Sequence, residues 1–389
     1  MVASASCWVS AAFQLHFSCF RLTNRCYLYV ELMATTVTNT NGKRPMSEPE
    51  QEEAPVVAKC AETKRIRTSI LACQNGHTET AFVLLEGGAT VDQADDDGWT
   101  PLYIACYGGH TETASVLLEG GATVDQADED GTTPLYMACR NGHTDIVKVL
   151  LDEGGATVDQ ARNDGWTPLC IACHNGHTET ASVLLSGGAT VDQADEDGTT
   201  PLYMACRNGH TDIVKVLLDE GGATVDQAKK NGETPLYVAC LIGHTEIARV
   251  ILEGGATVDQ AKNDGWTPLH IASRYGHTEI ARVILEGGAT VDQAKNDGWT
   301  PLYVASRYGH TVTARVLLEG GATVDQANKN GATPLYIACW EGHTETASVL
   351  LEGGATVDQA DQYGATPLYV ACRAGHTDIV KVLLDRGAN

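Results

Sequence analysis

The sequence predicts an all-α repeat solenoid, each unit of about 33 residues supplying a helix, a turn, a second helix and a β-hairpin loop. Three observations carry the prediction: proline spacing, glycine register and two short apolar segments in every period. Nine of the 12 prolines lie in Thr-Pro-Leu triplets, from Pro101 and Pro134 to Pro334 and Pro367, separated by 33 or 34 residues. Nearly all of the 40 glycines keep the same register, one before the triplet, one before a His-Thr, and a pair later in the unit. A fixed period of this length means stacked repeats, which overrides the two or three globular domains that 389 residues would otherwise suggest.

The unit that begins at Gly131 shows how each element arises. Thr133 suits a helix N-cap and Pro134 the first helical position. Leu135, Ala138 and Cys139 then share one helical face, and Gly142 ends the helix because it can take a left-handed cap. The second helix opens at Thr144, with Asp145 placed against its dipole and an apolar stripe of Ile146, Val147, Val149, Leu150 and Leu151. Gly154-Gly155 ends it. Residues Ala156 to Trp166 follow as an extended excursion whose Asn163-Asp164-Gly165 turn reads as a hairpin tip. Two units are longer by one acidic residue, at Asp152-Glu153 and Asp219-Glu220, in a loop where insertion costs little.

The repeat domain is expected over 65–389, with a degenerate first repeat at 65–97 and nine further repeats over 98–389, the last one truncated. In the first repeat Arg67-Thr68-Ser69 replaces Thr-Pro-Leu, a more polar helix as a terminal cap requires. At the other end Val380, Val382, Leu383 and Leu384 are ordinary interior residues. Three readings stay open there: a tolerated open end, end-to-end self-association through the uncapped last repeat, or a chain that is a fragment. Residues 33–64 read as a disordered tail, whose Lys43-Arg44 and Lys64-Arg65 pairs form only a weak nuclear signal. Residues 1–32 are a hydrophobic extension, too short and mixed to span a membrane and without the charged opening of an export signal. Met33 is the better natural start.

Composition narrows function. With 26 basic and 50 acidic residues the formal charge is -24, against nucleic acid and against anionic lipid. Thirteen cysteines are too dilute for a disulfide scaffold, and free thiols in quantity suggest a reducing compartment, the cytoplasm or alternatively the nucleus. The recurring Cys-x-x-x-His, such as Cys106 with His110, imitates half a zinc site, but its partners would lie one stacked helix away, about 8–10 Å, beyond ligand reach. Acidic tips such as Asp128-Glu129-Asp130-Gly131 lack the bidentate Glu of a calcium loop, Met137 standing in its place. No phosphate-cradling loop or nucleophile elbow occurs. The expectation is a non-enzyme without cofactor or metal.

Thr-Pro-Leu-x-x-Ala, Gly-His-Thr, Leu-Leu and Gly-Ala, recurring in register, resemble the ankyrin repeat. The resemblance covers about ten units and implies a right-stacked, curved array that binds partner proteins on its concave side. One departure is consistent. The family usually has His after Thr-Pro-Leu, whereas here it is Tyr in seven units, with Cys170 and His270 as exceptions. That places in doubt the side-chain hydrogen bonds the family builds from this His. Comparing the units with one another, variation gathers at the hairpin tip and at the pair ending the first helix, which in ankyrin-like stacks line the same surface. The candidate partner-binding residues are therefore Trp99, Tyr107, Arg140, Trp166, His174, Arg207, Lys229, Lys230, Trp266, Arg274, Tyr275, Trp299, Arg307, Tyr308 and Trp340. Each tip Trp could equally pack on its neighbouring loop. Tip charge runs from acidic near Asp95 and Asp128 to basic near Lys229, Lys262 and Lys295, so a partner of opposite polarity along its length is expected. The alternative to a scaffold is a targeting or substrate-binding arm of a larger multidomain protein.

Overall fold

The computed structural model describes residues 67–389; the tail, the hydrophobic extension and the two basic pairs considered above lie outside them. The described residues form ten helix pairs, one pair per unit. In the third unit, for example, the first helix is Pro134–Asn141 and the second Thr144–Asp152. First helices stack on first helices and second helices on second helices along the array. The local signals act as anticipated: the Thr133 hydroxyl accepts from the Tyr136 amide at 3.1 Å, and Gly142 takes φ 73° at the C-cap.

Burial differs between the two layers. Each interior first helix lies between two neighbouring first helices and its own second helix. Tyr136 and Met137 are therefore buried together with Leu135, Ala138 and Cys139, well beyond the single face predicted. The second helix keeps one side in water and buries Ile146, Val147 and Leu150, leaving Val149 and Leu151 half-buried.

Two kinds of side-chain bond tie neighbouring units together, the first at every junction and the second at all but that of His277. The Asp125 carboxylate accepts from the Thr157 amide at 3.1 Å and from its hydroxyl at 2.6 Å; Asp159 with Thr190 and Asp226 with Thr257 repeat the clamp. In the other direction His177 Nε2 lies 3.1 Å from the Arg140 carbonyl of the preceding unit, so it donates. It braces the previous first helix, whose last carbonyls have no partner within their own helix.

The hairpin excursion is a hydrogen-bonded turn, with no strand among the described residues. Its arms are closed by Asp95 N to Trp99 O and Gly98 N to Asp95 O, both 3.1 Å. Neighbouring tips share single backbone bonds, such as Lys230 N to Asp197 O at 2.9 Å. In unit 10, Tyr369 and Leu384 are exposed.

Gly142 and Gly155 both take positive φ, at 73° and 64°, but a Cβ on Gly142 would fall 2.4 Å from the His177 ring, whereas one on Gly155 would meet nothing within 4 Å. Gly155→Ala should thus cost only the backbone penalty, about 1–2 kcal/mol. Gly142→Ala should cost about 1–2 kcal/mol more, because it also displaces the ring and its hydrogen bond. Urea midpoints of the two variants check this; equal shifts would show that the His–carbonyl contact contributes nothing.

Candidate partner-binding surface

The residue after Thr-Pro-Leu sits at the root of the loop surface and points to the next hairpin tip. Tyr103 donates to Asp128 at 3.3 Å, Tyr203 to Glu233 at 2.8 Å and Tyr336 to Asp361 at 3.0 Å, while Tyr303 accepts from Asn328 at 3.2 Å. Where the tip is basic, a cation lies over the ring: Arg162 over Tyr136 at 5.5 Å, Lys262 over Tyr237 at 6.0 Å, and Lys229 over Tyr203 at 5.1 Å in addition to the Glu233 bond. Burial, above all, raises these phenols above their ordinary range. The tips therefore vary partly because several are matched to a tyrosine one unit back, a pairing the linear spacing had not disclosed.

His270 shows the alternative arrangement. Its Nε2 donates to the Trp299 carbonyl at 2.9 Å, leaving Nδ1 to accept from the Thr267 hydroxyl at 2.7 Å. That assignment fixes the neutral tautomer. Burial is the main cause that brings this imidazole down to about 4, with Lys295 adding and the Trp299 bond opposing.

Each of the four tip tryptophans has an intramolecular partner. Trp99 stacks on Tyr103 with centroids 5.5 Å apart, Trp166 meets His174 edge-on at 5.3 Å, and Trp299 lies 5.2 Å from Tyr303. Trp266 is buried against His270. Lys295 fits between two of them, 4.3 Å from the Trp266 centroid and 4.7 Å from that of Trp299, and Arg307 covers Trp299 at 4.6 Å. The tip tryptophans thus present capped or edge-on rings. Several tip cations are also occupied: Lys262 reaches Glu233 at 3.3 Å and Lys295 reaches Asp297 at 3.1 Å. Lys229 is half-buried and Lys230 exposed.

The residues ending the first helices are the open ones. Tyr107, Arg140, Arg207, Tyr275, Tyr308 and Trp340 are exposed, and His174, Arg274 and Arg307 half-buried. Burial lowers the His174 imidazole, and Asn208 is 2.9 Å from its Nδ1, an acceptor in the neutral ring. Ile242 belongs to the same row and is exposed, although it was absent from the predicted set. Its signal was present, an apolar residue at a pair position held elsewhere by Arg, Tyr or Trp. The Cys and His of each unit serve separate ends: Cys139 is buried with its thiol raised by that burial, and His143 Nε2 lies 3.2 Å from the Tyr107 carbonyl. No cluster of three or more His, Cys, Asp or Glu among the described residues could hold a metal. No helix there is long and apolar enough to cross a membrane.

Stacked helix pairs joined by hydrogen-bonded turns, with a variable row along one edge, define a helical repeat array. The family model "Ankyrin repeats (3 copies)" matches in overlapping segments from 69–162 to 321–389, and the chain belongs to the ankyrin-repeat family. Among solved structures, the crystal structure of the human ASB11 ankyrin repeat domain superposes with a TM-score of 0.52 at 30% identity, covering 57% of this chain and 98% of that one. A comparison with curated proteins returned no match.

The low His270 value has a consequence for stability. Its folded pKa of about 4 lies below the ordinary 6.5, so between those values the unfolded chain binds the extra proton, and stability falls as pH drops through that window. Tyrosine does not titrate there. His270→Tyr should therefore lose about 2–3 kcal/mol less than the parent protein between about pH 7 and pH 4, read from urea unfolding at both pH values. Equal losses in the two proteins would remove His270 as a source of acid sensitivity.

Proposed function

We propose that this array is a non-catalytic scaffold that binds a partner protein across the ends of its first helices and the adjoining hairpin tips. Ankyrin repeats are generally protein-interaction modules and are typically non-catalytic. The observation that supports this surface is a set of large exposed side chains at two adjacent positions of the repeat. Tyr107, Ile242, Tyr275, Tyr308 and Trp340 all stand at the pair that ends a first helix. Apolar residues scattered singly over a surface need no explanation, but a line of them on a rigid array does. Tyr, Trp and Arg are also the side chains that dominate binding energy at interfaces.

A photoreactive phenylalanine analogue placed in the full chain at position 308, 340 or 249 tests the surface. Arg249 lies exposed on the second helix Thr245–Glu253, in the other layer. Irradiation in a native extract should give the same adduct from positions 308 and 340 and none from 249. Adducts formed only at 249 would move recognition to the second-helix layer and end this reading.

A further inference from the structure

The row at the first-helix ends has a charge opposite to that of the chain as a whole. Arg140, Arg207, Arg274, Arg307 and Arg373 lie in it against the single acid Glu341, on a chain of formal charge -24. Arg274 is the most strongly preorganised of these. Its guanidinium carbon is 5.2 Å from the Trp266 centroid, 5.7 Å from Tyr275 and 5.6 Å from Tyr308. Three rings hold the planar group without using its N–H donors. Among the described residues, no carboxylate lies within 4.0 Å of the Arg274 guanidinium, and it donates no hydrogen bond. Its neighbours differ: Arg307 has Glu341 at 3.8 Å and Lys295 has Asp297 at 3.1 Å.

We propose that this row receives an acidic, extended polypeptide segment of a partner protein, with one carboxylate seated on Arg274. The inference rests on the surface assigned under Proposed function and adds the partner's chemistry. A guanidinium fixed between rings and lacking an acceptor is suited to a bidentate carboxylate. Discrete carboxylates fit better than a nucleic acid. A duplex carries a charge about every 1.7 Å, which isolated arginines cannot match and which the surrounding acidic surface repels. At a Debye length of about 8 Å in physiological salt, a single carboxylate on Arg274 is shielded from most of that surface.

The spacing makes the proposal specific. Neighbouring units lie about 10 Å apart and an extended chain advances about 3.3 Å per residue. Carboxylates on Arg274 and Arg307 would therefore stand roughly three residues apart, and one on Arg207 roughly six residues from that on Arg274. Ile242, Tyr275 and Tyr308 lie between these cations and would take apolar side chains.

The test is selection on the immobilised full chain from a phage library of random peptides about 16 residues long, enough to cross about five units. Enriched peptides should be rich in Asp and Glu, with recurring separations near three or six. For the best of them, Arg274→Gln should raise the dissociation constant about tenfold. Arg274→Lys, which keeps the charge but not the planar stack, should cost part of that, and Arg249→Gln nothing. Circular dichroism of each variant establishes that it is folded. Enrichment of neutral or basic peptides, no enrichment, or unchanged binding by Arg274→Gln would each overturn the acidic partner. Cross-links from positions 308 and 340 to a partner segment without acids would sink this inference alone and leave the binding surface standing.

Discussion

A carboxylate in one repeat reaches forward to the backbone of the next, and at eight of the nine junctions a histidine reaches back to a last carbonyl of the helix before, His277 being the exception among the described residues. The bonds from Asp226 to Thr257 and from His244 to the Arg207 carbonyl are typical. Between them lie first helices whose side chains no single unit could bury, since Leu202, Tyr203, Met204 and Cys206 are covered mainly by the helices before and after. Stability is therefore set between neighbours, and each contact is needed in nearly the same form at every junction. This explains why Gly-Gly-Ala-Thr-Val-Asp-Gln-Ala hardly changes along the chain. Its Thr and Asp are the two halves of a clamp, each used with a different neighbour.

The same constraint determines where the units can differ. A residue that faces a neighbour is free to change only if the neighbour changes with it, and the tips behave in that way. Asp128 and Asp361 accept from tyrosine hydroxyls, whereas Lys229 and Lys262 lie on tyrosine rings. A tip acid and a tip lysine are two solutions to one local problem, covering a largely buried tyrosine with a polar group. Variation at the tips thus carries less information about a partner than variation at the helix ends, where Arg140, Ile242 and Trp340 are exposed.

Most of the architecture was legible because its signals are local. Thr133, Pro134 and Gly142 act within one turn of backbone, so the caps follow from spacing alone. The extent of first-helix burial was not legible, because Tyr136 and Met137 lie off the apolar face and are enclosed only by stacking. The partner of the histidine was not legible for a related reason. His177 and the Arg140 carbonyl are 37 residues apart, and nothing in either residue's surroundings announces the other. At the candidate surface, residue types and register could be read from the sequence, but not which cations already hold a carboxylate. Lys295 and Arg274 look alike as basic residues among aromatics; only geometry shows the first paired with Asp297 and the second held among three rings with its donors unused.

That difference bears on how an acidic chain could still attract an acidic partner. Long-range fields between exposed charges are screened beyond about 8 Å in physiological salt, so the net charge of -24 governs solubility and nonspecific encounters more than contact energy. A cation stacked on aromatic faces has given up part of its hydration and much of its rotamer freedom before any partner arrives. Binding then costs less ordering than a flexible surface lysine such as Lys230 would require. The rigid stack extends this advantage to both arginines, because their helix ends are fixed by histidines of the following units: His310 donates to the Arg274 carbonyl at 2.9 Å and His343 to the Arg307 carbonyl at 3.0 Å. The bonds that join the repeats therefore also hold in place the backbone from which the candidate binding arginines project.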